Sequence, residues 1–284
     1  MPEVALSDGV TLAYDERGDP RARPLVLIHG VSMSRRYFHR QLEVLGERYR
    51  VIALDLRGHG DSSKVETGHT IPHYARDLAR FIELCQLEQP VLLGWSMGAF
   101  VAWDYLQQFG TAATAGLIIC DEAASDFKWD GFHHGFLDLP GLQSLMTDVQ
   151  EDREGFLRHL VPLMFHGEAR RNDVEWMVAE CMKLPVGPLS AILFDQSVRD
   201  YREAVGTFDI PTLICWGRHD ALLSVTGAGD LEERIPHAEI ALFENSGHCP
   251  FLEESEKFNA TVQEFMERIE RQAKPGGAPA AVGG

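Results

Sequence analysis

Pro90-Val91-Leu92-Leu93-Gly94-Trp95-Ser96-Met97-Gly98-Ala99-Phe100 is the stretch that decides the fold. Pro90 to Trp95 is short and apolar at successive positions, as in a strand buried on both faces. From Met97 the period changes. Val101, Ala102, Tyr105, Leu106 and Phe109 recur at helical spacing, and Gly110 stops the pattern. One residue, Ser96, therefore separates a buried strand from a helix. A turn that sharp pushes its side chain out at the sheet's C-terminal edge, and Cβ atoms at Gly94 and Gly98 would collide with the neighbouring strand and helix. Gly94-Trp95-Ser96-Met97-Gly98 in this context is the strand-turn-helix form of G-x-S-x-G, a nucleophile elbow, with Ser96 as the candidate nucleophile.

Outward from this turn, the same alternation recurs. Leu25–His29, Val51–Asp55, Gly116–Cys120, Thr212–Trp216 and Glu239–Phe243 read as further short buried strands. Val4–Leu6 and Val10–Leu12 around Asp8-Gly9 read as a hairpin. Helical stripes lie between: Ile71, Tyr74, Ala75, Leu78, Phe81, Ile82 and Cys85, and later Phe258, Val262, Phe265, Met266 and Ile269. Strand-helix alternation predicts an α/β class with a mostly parallel sheet and helices on both faces. Between residues 122 and 208 no strand pattern is present; several short helices are predicted there, divided by Pro140, Pro162, Pro185 and Pro188. The expected organisation is a core of residues 1–121 and 209–273, a helical cap of 122–208 over the sheet's edge, and a Gly/Pro/Ala tail of 274–284 expected to be disordered.

Charge narrows the partners. A formal net charge of -17 from 43 acidic and 26 basic residues repels phosphate backbones and anionic bilayers, so neither nucleic acid nor membrane is an expected partner. No run reaches the roughly 18 apolar residues of a span, and Met1-Pro2-Glu3 lacks a signal-peptide start. The five scattered cysteines (Cys85, Cys120, Cys181, Cys215, Cys249) fit reduced thiols, and the expected location is cytoplasmic. Cys249 has no elbow around it, so packing is the expected role. A small-molecule substrate is the expected partner, and a homo-oligomer is left open.

A serine hydroxyl is a poor nucleophile at neutral pH and needs a base and oxyanion donors. Catalysis in open α/β sheets sits beyond the strands' carboxyl ends. Of twelve histidines, His248 in Asn245-Ser246-Gly247-His248 directly follows the last predicted strand. His29 lies beside the turn Gly30-Val31, and His59 in a loop; structural roles are expected for both. His133, His134 and His166 fall in the insertion. His69 and His73 have i,i+4 spacing interrupted by Pro72, so no metal site is expected. The acid that orients the imidazole is expected at Asp220, after Thr212–Trp216, in the order Ser, Asp, His. Asp121, at the end of Gly116–Cys120, is its rival. Oxyanion donors are expected from the amides of Val31 and Met97, the latter helped by the positive end of its helix.

His29-Gly30, Asp55-Leu56-Arg57-Gly58-His59-Gly60-Asp61-Ser62, the Ser96 turn, and Gly217-Arg218-His219-Asp220 with Gly247-His248 occur in that order. Together they resemble the α/β-hydrolase superfamily over nearly the whole chain, in its serine esterase, lactonase and cofactor-free haloperoxidase-like branch. The resemblance implies an eight-stranded sheet, a helical cap between the sixth and seventh strands, no cofactor, and hydrolysis of a carboxylic ester or lactone through an acyl-enzyme. Ser96 at the elbow departs from haloalkane and fluoroacetate dehalogenases and epoxide hydrolases, which carry aspartate there. Val31-Ser32-Met33 departs from the longer Gly run of hormone-sensitive-type esterases. The same triad also serves carbon-carbon bond hydrolases and perhydrolases, and the fold also serves as a ligand-binding receptor. Trp95, Trp129, Phe132, Phe136 and Phe165 are the candidate lining of an apolar substrate pocket.

Overall fold

The computed structural model describes residues 2–273. Eight strands form one sheet: β1 (Glu3–Ala5), β2 (Thr11–Arg17), β3 (Pro24–Ile28), β4 (Arg50–Leu54), β5 (Val91–Trp95), β6 (Gly116–Cys120), β7 (Thr212–Gly217) and β8 (Ala238–Phe243). Their spatial order is β1-β2-β4-β3-β5-β6-β7-β8. β1 pairs antiparallel with β2 and β2 with β4; every other pairing is parallel. Strand ends differ from the sequence reading by a residue at most positions. β2 is the larger exception, because Tyr14–Arg17 continue it by pairing with β4.

Among the described residues ten α-helices accompany the sheet: α1 (His39–Leu45), α2 (Ile71–Leu84), α3 (Met97–Phe109), α4 (Leu139–Glu151), α5 (Arg153–Leu163), α6 (Arg171–Cys181), α7 (Val186–Ser197), α8 (Thr226–Arg234), α9 (Pro250–Glu253) and α10 (Ser255–Ala273). β3, β5 and β6 are buried along their full length, and alternate residues feed two cores. Val26, Ile28 and Leu92 face α2 and α3, whereas Leu25, Leu27, Val91 and Leu93 face Leu45 of α1 and Phe258, Val262 and Met266 of α10. Burial on both faces is why these strands read as continuous apolar runs. α10 extends beyond the Phe258–Ile269 stripe at both ends, since an apolar stripe marks only the part of a helix that meets the core.

The chain order places the crevice. β4 lies on one side of β3 and β5 on the other, so successive connections leave in opposite directions and their C-terminal ends diverge. That divergence is where ligands bind in open α/β sheets. Val31 follows β3 and Ser96 follows β5, so both sit at this point.

Helices α4 to α7 all fall between β6 and β7. They do not fill the interval: residues 122–138 are a loop, folded back by bonds from the Lys128 and Leu137 amides to the Leu137 and Asp126 carbonyls (2.7 and 3.0 Å). Nor do all four prolines act as dividers. Pro140 and Pro185 sit at helix starts, but Pro162 lies inside the last turn of α5 and Pro188 in the first turn of α7. First-turn N–H groups have no intrahelical partner, so proline costs little there. The inserted helices are tied to the core by Ser34 Oγ donating to Glu180 Oε2 (2.9 Å), Lys183 to Asp61 (2.8 Å), Tyr201 Oη to Asp104 (2.6 Å) and the Ile71 amide to Asp195 (2.8 Å).

No single helix among the described residues is long and apolar enough to cross a membrane. All five cysteines are free, four of them buried and Cys85 half-buried. The Gly/Pro/Ala tail expected at 274–284 lies outside the described residues.

Candidate active site

Ser96 is the residue between β5 and α3, and its backbone is forced to φ 53°, ψ -129°. A non-glycine residue is rare in that region and is held there by its surroundings. The two flanking glycines show why. A Cβ on Gly98 would stand 2.1 Å from the Ile28 carbonyl oxygen of β3, and one on Gly94 would stand 2.4 Å from the Gly98 carbonyl oxygen. Only glycine lets strand, turn and helix approach this closely. The Ser96 amide donates to the Cys120 carbonyl (3.0 Å) and its own carbonyl accepts from Ala99 (2.7 Å), fixing the turn on both sides.

The turn after β3 packs directly over this serine: a Cβ on Gly30 would lie 3.2 Å from Ser96 Cβ. Its shape is held by His29, whose Nδ1 donates to the Gly30 carbonyl (2.8 Å) while Nε2 accepts from the Leu56 amide (3.1 Å). Both ring nitrogens are thus committed to backbone. Burial pushes the imidazole down, and it stays neutral. His59, also fully buried, packs 4.9 Å from the His29 ring. Beside them, buried Asp55 ion-pairs with Arg35 and accepts from the Arg35 and Asp61 amides (2.7 Å each). The Asp55–Ser62 motif therefore buttresses His29 and, through it, the turn after β3. Val31 lines the cavity. Met97 is the first residue of α3, where amides have no intrahelical acceptor.

His248 is 3% exposed, with Nδ1 2.7 Å from Asp220 Oδ2. The other Asp220 oxygen accepts from the Leu222 and Leu223 amides at 2.8 and 3.2 Å. Burial alone would push the imidazole down. The charge and hydrogen bond of Asp220, with the carboxyls of Asp121 and Asp126 behind it, outweigh burial and leave its pKa above the ordinary 6.5. Two further holds come from distant segments: the His248 amide donates to the Met164 carbonyl of the insertion (2.8 Å), and the Trp95 indole donates to the His248 carbonyl (2.8 Å). Neither was legible in the sequence.

Asp121, the rival for that role, is held by the backbone of β7 instead. It is fully buried at φ 47°, and its Oδ1 accepts from the Gly217 amide (2.8 Å), so it joins β6 to β7. Burial, followed by the Asp220 charge, holds its carboxyl well above the usual range. Donor atoms of Asp121, Asp220 and His248 lie within 4.8 Å of one another. Those of Asp220 and His248 Nδ1 are already spent on each other and on backbone amides.

Ser96 and His248 open onto one cavity, walled by Phe136, Leu145, Phe156, Leu160, Met164 and Leu193. Of the aromatic residues expected there, Trp95 and Phe136 line it and Trp129, Phe132 and Phe165 do not. The Trp129 and Phe132 amides donate to each other's carbonyls (3.0 and 2.9 Å), which closes a tight turn. That turn sends both rings toward Arg202, 5.8 and 5.3 Å from its guanidinium, and the Trp129 indole to Ser125 Oγ (2.9 Å). Phe165 is half-buried and packs against the second of the two cores. The other histidines are taken up elsewhere: His69 by Tyr74 and Val65, His134 by Thr226, and His166 in a stack on His219 with ring centres 3.8 Å apart. The sequence reading missed Glu122, Asp126 and Gln196, polar residues on the cavity wall.

Comparison with known proteins agrees with this fold. Residues 25–261 match the model of the alpha/beta hydrolase family. The chain is 29% identical to the AB hydrolase superfamily protein YisY of Bacillus subtilis, over 92% of this chain and 97% of that one. It is 28% identical to a pimeloyl-[acyl-carrier protein] methyl ester esterase of Vibrio campbellii, over 85% and 93%. The structure superposes on an esterase from Exiguobacterium antarcticum with a TM-score of 0.88, at 26% identity, covering 93% and 98% of the two chains. A strained serine at the switch point of an eight-stranded sheet, the order of the motifs and a family match over most of the length lead to one conclusion: this chain belongs to the alpha/beta hydrolase family.

Proposed function

We propose that the chain hydrolyses a carboxylic ester, or a lactone, of a small and largely apolar substrate through an acyl-enzyme on Ser96. The observation that carries this reading is the buried His248 imidazole, oriented by Asp220 at 2.7 Å and facing the same cavity as the strained Ser96 turn. The names of the relatives, two of them esterases, support it at the level of the reaction.

In the first step Ser96 Oγ bonds to the substrate carbonyl carbon as its proton passes to His248 Nε2. The carbonyl π pair moves to oxygen, and the resulting oxyanion is bound by the amides of Val31 and Met97. Collapse breaks the bond to the alkoxy group, which leaves with the His248 proton. Water then attacks the acyl-enzyme, giving its proton to His248, and the second collapse returns it to Ser96. Asp220 stays ionised and fixes the tautomer with Nδ1–H toward itself. Residues 122–208 act as a cap that supplies most of the apolar wall, over a core of 1–121 and 209–273.

The test is an alkyl p-nitrophenyl phosphonate, a tetrahedral mimic that leaves a stable adduct on an activated serine. Intact-mass analysis is expected to show one adduct per chain, and peptide mapping to place it on Ser96. No adduct, or one on another residue, would overturn the assignment.

A pH dependence follows from the sign of the His248 shift. The imidazole must be neutral to accept the Ser96 proton, and Asp220, Asp121 and Asp126 stabilise its protonated form. The base is therefore lost at a higher pH than for an ordinary histidine. The acidic limb of kcat/KM on a neutral ester is expected to have its midpoint above 6.5, measured between pH 5 and 9. A midpoint below 6.5 would contradict the electrostatic account.

A further inference from the structure

Glu122 and Asp126, in the loop after β6, and Gln196 of α7 come together on the cavity wall, each at least 96% buried (1%, 1% and 4% exposed). With Ser197 and the Ser96 and His248 side chains they are the polar part of a surface otherwise made of apolar side chains and Gly30. Gln196 Nε2 donates to Asp126 Oδ2 at 2.7 Å. That bond fixes the amide: its nitrogen must face the carboxylate, so Oε1 points away. Gln196 Oε1 and Asp126 Oδ1 are both buried without a hydrogen-bond donor. Glu122 Oε1 accepts from the Ala123 amide (2.8 Å), and the Glu122 carboxyl is in hydrogen-bonding contact with Asp126. Burial, and then the charge of its partner, hold Glu122 well above the usual range; burial also raises Asp126, to about 6. Two acceptors, Gln196 Oε1 and Asp126 Oδ1, lack a donor, and one proton held by the carboxyl pair would serve one of them at most. Leaving a buried acceptor unmet is costly.

We propose that Glu122, Asp126 and Gln196 form the recognition end of the pocket and bind a hydroxyl group, so that the preferred substrate is an ester carrying a hydroxyl set apart from its scissile carbonyl. The inference rests on the esterase reading above and names the substrate class for it. A hydroxyl supplies the missing donor and brings no charge. An ammonium group would have to shed its water in a cavity lined by Leu145, Phe156, Leu160 and Leu193, beside a carboxyl already engaged by Gln196. A plain alkyl chain reaching this end leaves the acceptors desolvated and unmatched, which is how a polar pocket rejects an analogue lacking a hydroxyl.

The experiment compares methyl esters of straight-chain acids with three to six carbons against the same esters bearing a terminal hydroxyl or a terminal amine, followed by pH-stat titration. The wild-type enzyme is expected to prefer the hydroxy ester by at least about tenfold in kcat/KM at one or more chain lengths. Gln196→Leu and Asp126→Leu are each expected to bring that ratio to within about twofold of one. Equal rates for hydroxy and alkyl esters, preference for the amine, or a preference surviving in both variants would overturn the proposal. Melting curves show which variants fold, and either one suffices. Calorimetry with Ser96→Ala separates this inference from the esterase reading. Tenfold tighter binding of the hydroxy ester upholds the recognition site even if the wild type turns over neither ester. Equal binding refutes it even if both are hydrolysed.

Discussion

Replacing Ser96 with alanine lowers kcat on a soluble ester by at least about 10⁴-fold, with little change in KM. The change removes one oxygen from a turn whose geometry is set by glycines and backbone bonds. Gly94 and Gly98 still permit the close approach to Ile28, and the Ser96 amide keeps its bond to Cys120. The amides proposed to bind the oxyanion and the His248 imidazole are therefore expected to stay in place. What disappears is the covalent route; a water must now attack directly, poorly held and poorly oriented. A factor of 10⁴ corresponds to about 5.5 kcal/mol of transition-state stabilisation. The check is a steady-state titration of both proteins with p-nitrophenyl acetate and butyrate, together with a melting curve for each. Residual activity within tenfold of wild type would mean that the hydroxyl is not the nucleophile.

Asp220→Asn is expected to cost about 10³–10⁴ in kcat, whereas Asp121→Asn is expected to cost less than tenfold. The asymmetry comes from what each carboxylate holds. Asp220 Oδ1 accepts two backbone amides, from Leu222 and Leu223. An asparagine there must keep its oxygen on those amides, which turns its NH₂ toward His248 Nδ1. The ring then has to accept at Nδ1 and carry its proton on Nε2, facing Ser96 with a donor where an acceptor is needed. The charge that offsets the imidazolium is lost as well, so the acidic limb of the pH profile moves to lower pH in this variant. Asp121 instead accepts the Gly217 amide, and an asparagine oxygen serves equally well. Its charge ranks behind the charge and hydrogen bond of Asp220 in raising His248, so losing it moves the imidazole less. The measurement is kcat for both variants on one ester across pH 5 to 9. A larger loss from Asp121→Asn would reverse the two assignments.

Much of the fold was legible because the signals are local. Buried strands read as apolar runs on both faces, helices as stripes, and Ser96 as the single residue between one of each. The order Ser96, Asp220, His248 along the predicted strand ends gave the candidate triad, and the structure brings Asp220 to His248. The pocket was read less well. Aromatic residues in the insertion looked alike in sequence, yet Phe136 reaches the cavity while a two-residue turn points Trp129 and Phe132 at Arg202.

The sequence alone thus determined the sheet and the strand-turn-helix at Ser96, because hydrophobic period and turn geometry are written in neighbouring residues. The tertiary structure alone decided what surrounds them. The indole of Trp95 holds His248 across 153 positions, and Asp126 meets Gln196 across 70. Contacts at such separations depend on how helices and loops pack against the sheet, and no local period records which side chain a distant segment will present.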